Sequence, residues 1–311
     1  MKIAIIGSGG VGGYFGARLM ASGQDVTFVA RGAHLEAMQK KGLKVLSALG
    51  DLHLPEVKAT SDTTIVGPVD VIMIGVKLWA TEEAAAAAKP MIGANTVAVS
   101  FQNGVVAVDT LLPILGKEHV MGGVANIAAL IEEPGVIRHN GNMANLFFGE
   151  LDGNPSPRSQ ALQVACKIAD IQSEVVTDIN KTIWEKFVRL VTLSALTSLT
   201  RMPIGSIRAD ADTRALMLQV MEEVVTIGKA KGVKFDEGLL TDQMSKVDTY
   251  PANMIASMCG DLRRSIRLEL PWLSGMVAKF GRELGIATPA NQFVYAALKL
   301  YANGRPPEAQ I

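Results

Sequence analysis

Apolar and polar positions change period in blocks along the first half of the chain. Ile3–Ile6 is an unbroken apolar run, the pattern of a strand buried on both faces of a parallel sheet. Tyr14–Ser22 (YFGARLMAS) then reads as a helix. Asp25–Ala30 is apolar and β-branched and predicts a second strand, and His34–Lys41 predicts a helix. Lys44–Leu54 reads as a hairpin-like excursion through Gly50-Asp51. Val69–Val76 and Thr96–Ser100 predict two further buried strands. Between them lies Thr81–Lys89, helical because alanine is the best helix former. Val120–Ala125, Asn145–Gly149 and Glu174–Val176 supply the remaining strands, with Pro157–Ala169 as a helix.

The texture changes near Thr177. Beyond it helix follows helix: Asn180–Leu199, Asp212–Lys231, Asp236–Val247, Asn253–Arg267, Pro271–Leu284 and Ala290–Tyr301. Gly232, Gly285 and Gly304 stand where helices stop, as C-cap glycines do. The pattern predicts a parallel α/β domain over residues 1–176 and an all-α domain over residues 177–311.

The first strand runs directly into Gly7-Ser8-Gly9-Gly10-Val11-Gly12, with Gly7, Gly9 and Gly12 at the G-x-G-x-x-G spacing. A glycine turn between a strand and a helix points to a dinucleotide site in a Rossmann-type sheet. The first glycine permits the tight turn, the second lets the backbone approach a pyrophosphate, and the third lets helix pack on strand. The helix N-terminus offers unpaired N–H groups and a positive dipole end to the phosphates. At the end of the second strand stands Arg31, with no acid between Val26 and Arg31. An acid there would bind the ribose 2′-hydroxyl of NAD, whereas an arginine accommodates the 2′-phosphate, so the expected cofactor is NADP.

Composition narrows the partners. The chain has 311 residues, 49% of them apolar, enough for about two domains with real cores. Thirty basic and thirty acidic residues balance to zero, which argues against nucleic acid or a charged membrane surface as the main partner. Apolar runs are too short or too interrupted to span a bilayer. Met1 leads straight into the first strand, so no signal peptide is expected and the cytoplasm is the expected location. Cys166 and Cys259 read as reduced core residues, and His34, His53, His119 and His139 show no metal-ligand spacing, so no metal is expected.

Lys77 and Asn103 follow the buried strands at their carboxyl ends, where nucleotides bind in open α/β sheets. In the helical half, Trp184-Glu185-Lys186-Phe187 opens a long amphipathic helix on which Lys186, Leu190 and Ser194 share one face. Further on come Ser257-Met258-Cys259-Gly260-Asp261 and then Glu269 beside Pro271. Periodicity singles out neither Lys186 nor Glu269.

These segments, in this order, resemble the ketopantoate reductase family, 2-dehydropantoate 2-reductases that use NADPH. The resemblance rests on Gly7–Gly12, the Lys77 segment, Gln102-Asn103-Gly104, Trp184–Phe187, Ser257-Met258 with Asp261, and Glu269 with Ser274-Gly275. It extends through Gly285-Ile286 to Pro289 and Asn291. It implies that Lys186 is the catalytic lysine and Glu269 its carboxylate. It also implies that Ser257 binds substrate and that Lys77 and Asn103 contact cofactor and substrate. Gly7, Ser8, Gly9, Gly10, Val11, Gly12 and Arg31 complete the expected cofactor site, and Ser194 is expected beside the substrate. The chain departs from the family at Leu190, Ser194 and Ile204, where the family commonly carries asparagine, and at Leu268, where it carries threonine. Amide donors lost from a closed site weaken binding by roughly 1–3 kcal/mol for each partner left unpaired. A less polar 2-oxo acid than ketopantoate is therefore a plausible substrate. The expected partner is such a small-molecule 2-oxo acid, and a homodimer is an open option. Ser257, Arg189 and Arg201 are unranked candidates for the substrate carboxylate. Two other readings of the same residues stay open: a related dehydrogenase of a different small acid or polyol phosphate, and an NADPH-binding sensor without turnover.

Overall fold

Ile3 and Ile5 turn to one side of the first strand and Ala4 and Ile6 to the other, and all four are buried. A strand with two buried faces needs helices on both sides of its sheet. The computed structural model, which describes residues 1–306, supplies them. The order is β1 (Lys2–Ile6), α1 (Gly10–Ala21), β2 (Asp25–Val29), α2 (Gly32–Lys41), β3 (Leu43–Leu46), β4 (Leu52–Leu54) and β5 (Lys58–Thr60). It continues with β6 (Val71–Ile74), α3 (Thr81–Ala88), β7 (Val97–Ser100), α4 (Ala107–Leu115), β8 (Val120–Glu133), β9 (Val136–Gly149), α5 (Pro157–Ile168) and β10 (Gln172–Val175). Ile3 and Ile5 join Phe15, Phe28 and Leu162 in one core, while Ala4 and Ile6 join Ala85, Met91 and Leu111 in the other.

Among the described residues the strands form one mixed sheet in the order β4-β3-β9-β8-β7-β6-β1-β2-β5, with β10 paired to β9. The run β5-β2-β1-β6-β7-β8 is parallel throughout. From β1 the chain steps to β2 on one side and later returns to β6 on the other, so the sheet reverses direction at β1. Gly7 lies at that switch point, where crevices open at the strand ends. The α/β class and the Rossmann-type sheet expected from the sequence are both present.

The strands expected at Val120–Ala125 and Asn145–Gly149 are only the ends of a long antiparallel hairpin. β8 and β9 have 14 residues each and turn at Pro134-Gly135, where Gly135 has φ +82°. Beyond those ends the apolar stretch Ile127–Ile131 is half-exposed and gives way to polar Glu132, Glu133, Arg138 and Asn140 around the turn. A bulge between Ile127 and Ala129 breaks its alternation further. The hairpin covers the start of α1: a Cβ on Gly10 would fall 2.1 Å from the carbonyl oxygen of Ala129. Helix α4 carries Pro113 in its interior, which hides it from the sequence pattern.

Helix α6 (Ile179–Thr200) leads into the second compact unit, which runs from Ile183 onward; the first is Met1–Thr182. The second holds α7 (Ile204–Ala209), α8 (Ala211–Ala230), α9 (Leu239–Asp248), α10 (Ser257–Arg263), α11 (Ser274–Leu284) and α12 (Pro289–Leu298). Helix α10 is far shorter than the expected Asn253–Arg267, because the chain turns at Pro251–Met254 and Ser265 takes φ +58°. Pro271 likewise delays α11 to Ser274 after one 3₁₀ turn. Buried Glu223 on α8 accepts the N–H groups of Ala290 (2.7 Å) and Asn291 (2.9 Å), so a carboxylate closes the N-terminus of α12.

Candidate active site

The glycine turn is built from contacts that exclude side chains at some positions and leave room at another. Gly7 has φ +91°, and a Cβ there would fall 2.6 Å from the Val76 nitrogen. One on Gly12 would meet the Gly7 carbonyl at 2.3 Å. At Gly9 a Cβ would meet nothing within 4 Å. Gly9 is also the N-cap of α1, with no side-chain cap and no acid in the first turn. The helix end therefore presents N–H groups and a positive dipole to open space, which fits a dinucleotide pyrophosphate. A cavity of about 250 Å³ adjoins it, lined by Ser8, Gly9, Ala30, Arg31, His34 and Glu83 among others.

The other motif residues serve the turn itself. Ser8 is buried and its hydroxyl donates to the Val29 carbonyl (3.1 Å), tying the turn to β2. Val11 packs on the core, and Gly10 admits the β8 backbone. Arg31 stands at the cavity mouth, paired with Glu83 at 2.7 Å, and both side chains are exposed. The Glu83 carboxylate holds the guanidinium above its ordinary pKa and is itself held below the usual carboxylate range by Arg31.

Sequence pattern did not single out His34 as part of this site. Its Nδ1 accepts the Gly135 N–H (3.1 Å), which leaves Nε2–H to donate to the Ser8 carbonyl (2.9 Å). Burial holds this imidazole below its ordinary pKa. No spacing rule points to such a residue, because its partners are backbone groups distant in sequence.

Lys77 and Asn103 lie just past β6 and β7, and both are half-buried. Gln102 joins the two segments. Its Nε2 donates to the Val76 carbonyl (3.1 Å) and to the Thr81 hydroxyl (2.9 Å), and its Oε1 accepts from Ser100 (3.0 Å). This buried amide fixes the strand ends from which Lys77 and Asn103 project.

In the second unit, Lys186 and Leu190 lie on a half-buried stripe of α6, and Arg189 shares it. Burial, then the nearby Arg189, lower the Lys186 pKa to about 8, against the opposing pull of the Glu269 carboxylate. Glu269 is itself buried, between the fully buried Leu268 and Leu270. Ser194 lies on the packed side of α6, 1% exposed, and its hydroxyl has no hydrogen-bond partner among the described residues. Ser257 is exposed at the first position of α10. Ile204 is fully buried at the start of α7, its N–H donating to the Met254 carbonyl (2.9 Å). The structure thus couples Lys186, Arg189 and Glu269, and it gathers the glycine turn and Arg31 around one cavity. Chemically, a partly desolvated ammonium beside a buried carboxylate can stabilise and protonate a developing oxyanion. Among the described residues no group of three His, Cys, Asp or Glu is placed to hold a metal ion.

Residues 3–153 match the ketopantoate reductase PanE/ApbA family and residues 178–302 match its C-terminal domain. The chain belongs to the ketopantoate reductase family. It is 32% identical to a 2-dehydropantoate 2-reductase of Mesorhizobium japonicum, across 97% of this chain and 98% of that one. It is 30% identical to an uncharacterized oxidoreductase, YkpB, of Bacillus subtilis, across 97% and 99%. A crystal structure of a PanE/ApbA family ketopantoate reductase from Ralstonia eutropha superposes with a TM-score of 0.89 at 30% identity, covering 97% of this chain and 98% of that one. The family makes this chain a nicotinamide-dinucleotide-dependent oxidoreductase of the 2-dehydropantoate 2-reductase type. No described helix is long and apolar enough to cross a membrane.

Proposed function

We propose that the protein reduces a small 2-oxo acid with NADPH, the substrate being 2-dehydropantoate (ketopantoate), converted to pantoate for pantothenate biosynthesis, or a close analogue with a less polar side chain. The observation that carries this reading is the Lys186–Glu269 couple: an ammonium whose pKa is lowered to about 8, beside a buried carboxylate, in a chain that also builds a dinucleotide turn. NADPH, when bound, supplies the hydride.

The remaining steps belong to the chain's own residues. Lys186 stabilises the negative charge that develops on the carbonyl oxygen and donates its Nζ proton to it. A proton donor is most effective when its pKa lies near the working pH, and about 8 is far closer than the ordinary lysine value. Glu269 counters the burial of Lys186 and keeps more of it protonated. Gly7–Gly12 bind the pyrophosphate at the start of α1, and Arg31 exchanges Glu83 for the 2′-phosphate of NADPH. The exposed Arg31–Glu83 pair is of the kind worth little in water, so a phosphate can displace it. Lys77 and Asn103 position cofactor and substrate, and the exposed Ser257 offers its hydroxyl to the substrate, whereas Ser194, on the packed side of α6, stands apart from it. The preference for a less polar acid rests on Leu190, which shares the half-buried stripe with Lys186 and donates no side-chain hydrogen bond. A cytoplasmic setting suits this role, and the free, buried Cys166 and Cys259 are at home in a reducing compartment.

The test is steady-state turnover of ketopantoate, ketoisovalerate and pyruvate with NADPH and NADH in parallel. NADPH-dependent reduction of at least one of the branched acids is expected. Absence of turnover with all three acids would count against the proposal.

A further inference from the structure

We propose that Arg189, oriented by Gln243, is the anchor for the substrate carboxylate. The proposal rests on the 2-oxo acid reading above and ranks three residues that the sequence left equal.

Arg189 follows Lys186 by three positions on α6, so the two side chains rise from neighbouring points of one helix face. Its Nη1 donates to the Oε1 of Gln243 at 2.5 Å. Gln243 is fully buried on α9, so this bond fixes the guanidinium to a rigid element. Glutamine is neutral, and it aims the arginine without neutralising it. Among the described residues no carboxylate lies within ion-pair distance of Arg189. A half-buried guanidinium without a counter-ion is held at an energetic disadvantage that a bound anion relieves. The cluster Lys186, Arg189 and Glu269 carries two cations against one anion and so favours an anionic ligand.

The geometry also fits the shape of the ligand. Arg189 is close enough to Lys186 for its charge to disfavour the ammonium. A 2-oxo acid carries its carbonyl and carboxylate on adjacent carbons, so one molecule can present the carbonyl oxygen to Lys186 and the carboxylate to Arg189. The planar guanidinium, with one N–H engaged by Gln243, retains the donors for a carboxylate fork. The rival candidates are placed differently. Arg201 is exposed past the end of α6, with φ +59° and its Nη1 turned back to the Leu199 carbonyl. Ser257 is an exposed neutral hydroxyl.

The experiment compares ketoisovalerate with its methyl ester, which keeps the reacting carbonyl but lacks the charge, in the full-length enzyme with NADPH. In Arg189→Met the KM for the acid should rise roughly ten- to hundredfold, the range for a lost charge-assisted hydrogen bond, while the KM for the ester stays within about twofold. Added guanidinium ion should restore part of the loss. Gln243→Glu changes no volume but gives Arg189 an internal counter-ion, so it should raise the KM for the acid and not for the ester. This second variant keeps the test decisive if Arg189→Met fails to fold. An acid-to-ester ratio unchanged in both variants, in an enzyme that reduces the acid, overturns the anchor and leaves the reductase reading standing. A wild-type enzyme that neither reduces the acid nor is protected by it from thermal unfolding overturns both.

Discussion

The Nε2–H of His34 donates to the carbonyl of Ser8 at 2.9 Å, and the opposite ring nitrogen accepts the N–H of Gly135 at 3.1 Å. One neutral imidazole therefore ties the dinucleotide turn to the tip of the β8–β9 hairpin. His139 does similar work on the hairpin's other strand, between the Ser47 hydroxyl (2.9 Å) and the Met143 carbonyl (3.1 Å). Burial, the largest cause for each, holds both rings below their ordinary pKa of 6.5. In His34, protonation would turn the accepting Nδ1 into a donor facing the Gly135 N–H. As pH falls the unfolded chain takes up these protons first, so stability declines with falling pH. The contribution is fully present above about pH 6.5 and is lost as pH drops through the lowered folded values. Denaturant titrations at several pH values should show this decline, and it should shrink in His34→Phe. That variant should also lose about 1–3 kcal/mol at neutral pH, from the backbone groups left unpaired.

Gly9 and Gly10 are neighbours with opposite tolerances. Gly9 faces open space, whereas Gly10 faces the Ala129 carbonyl. Gly10→Ala should destabilise the fold by about 1–3 kcal/mol through overpacking. Gly9→Ala should leave the melting temperature nearly unchanged and weaken NADPH binding by roughly tenfold or more, because its methyl occupies space a pyrophosphate needs. Equal stability losses in the two variants would contradict this division of roles.

Arg31 and Glu83 should set the choice between the two nicotinamide dinucleotides. Arg31→Ala should weaken NADPH by roughly tenfold or more while changing NADH little. Glu83→Gln removes both the competitor for Arg31 and a like charge beside the 2′-phosphate. It should tighten NADPH relative to NADH. Dissociation constants from NADPH and NADH fluorescence titrations measure both effects. A wild-type protein that binds the two equally would remove the basis for an NADPH preference.

Much of the dinucleotide half was legible because its signals are local. The run Ile3–Ile6 and the glycines after it fix a strand, a turn and a helix within a few residues of one another. The β8–β9 hairpin was not legible beyond its ends, because a bulge between Ile127 and Ala129 breaks the alternation of its apolar Ile127–Ile131 stretch, and its packing on Gly10 and Gly13 exists only in the folded chain. In the helical half, period located the helices but not the chemistry. Lys186 looks like any amphipathic-helix lysine until the fold couples it to Glu269, far along the chain. His34 and Gln243 carried no sequence signal at all, since each acts on groups that only the folded chain brings near.

The role given to Lys186 is tested most directly by the pH profile of kcat/KM for the wild-type enzyme and Lys186→Ala, with NADPH affinity measured on both. The wild-type profile should fall on its basic side near pH 8, as Lys186 loses its proton. Lys186→Ala should bind NADPH normally, lose that limb, and fall by on the order of a hundredfold or more in turnover. A Lys186→Ala enzyme that keeps wild-type turnover and the same basic limb would contradict the assignment.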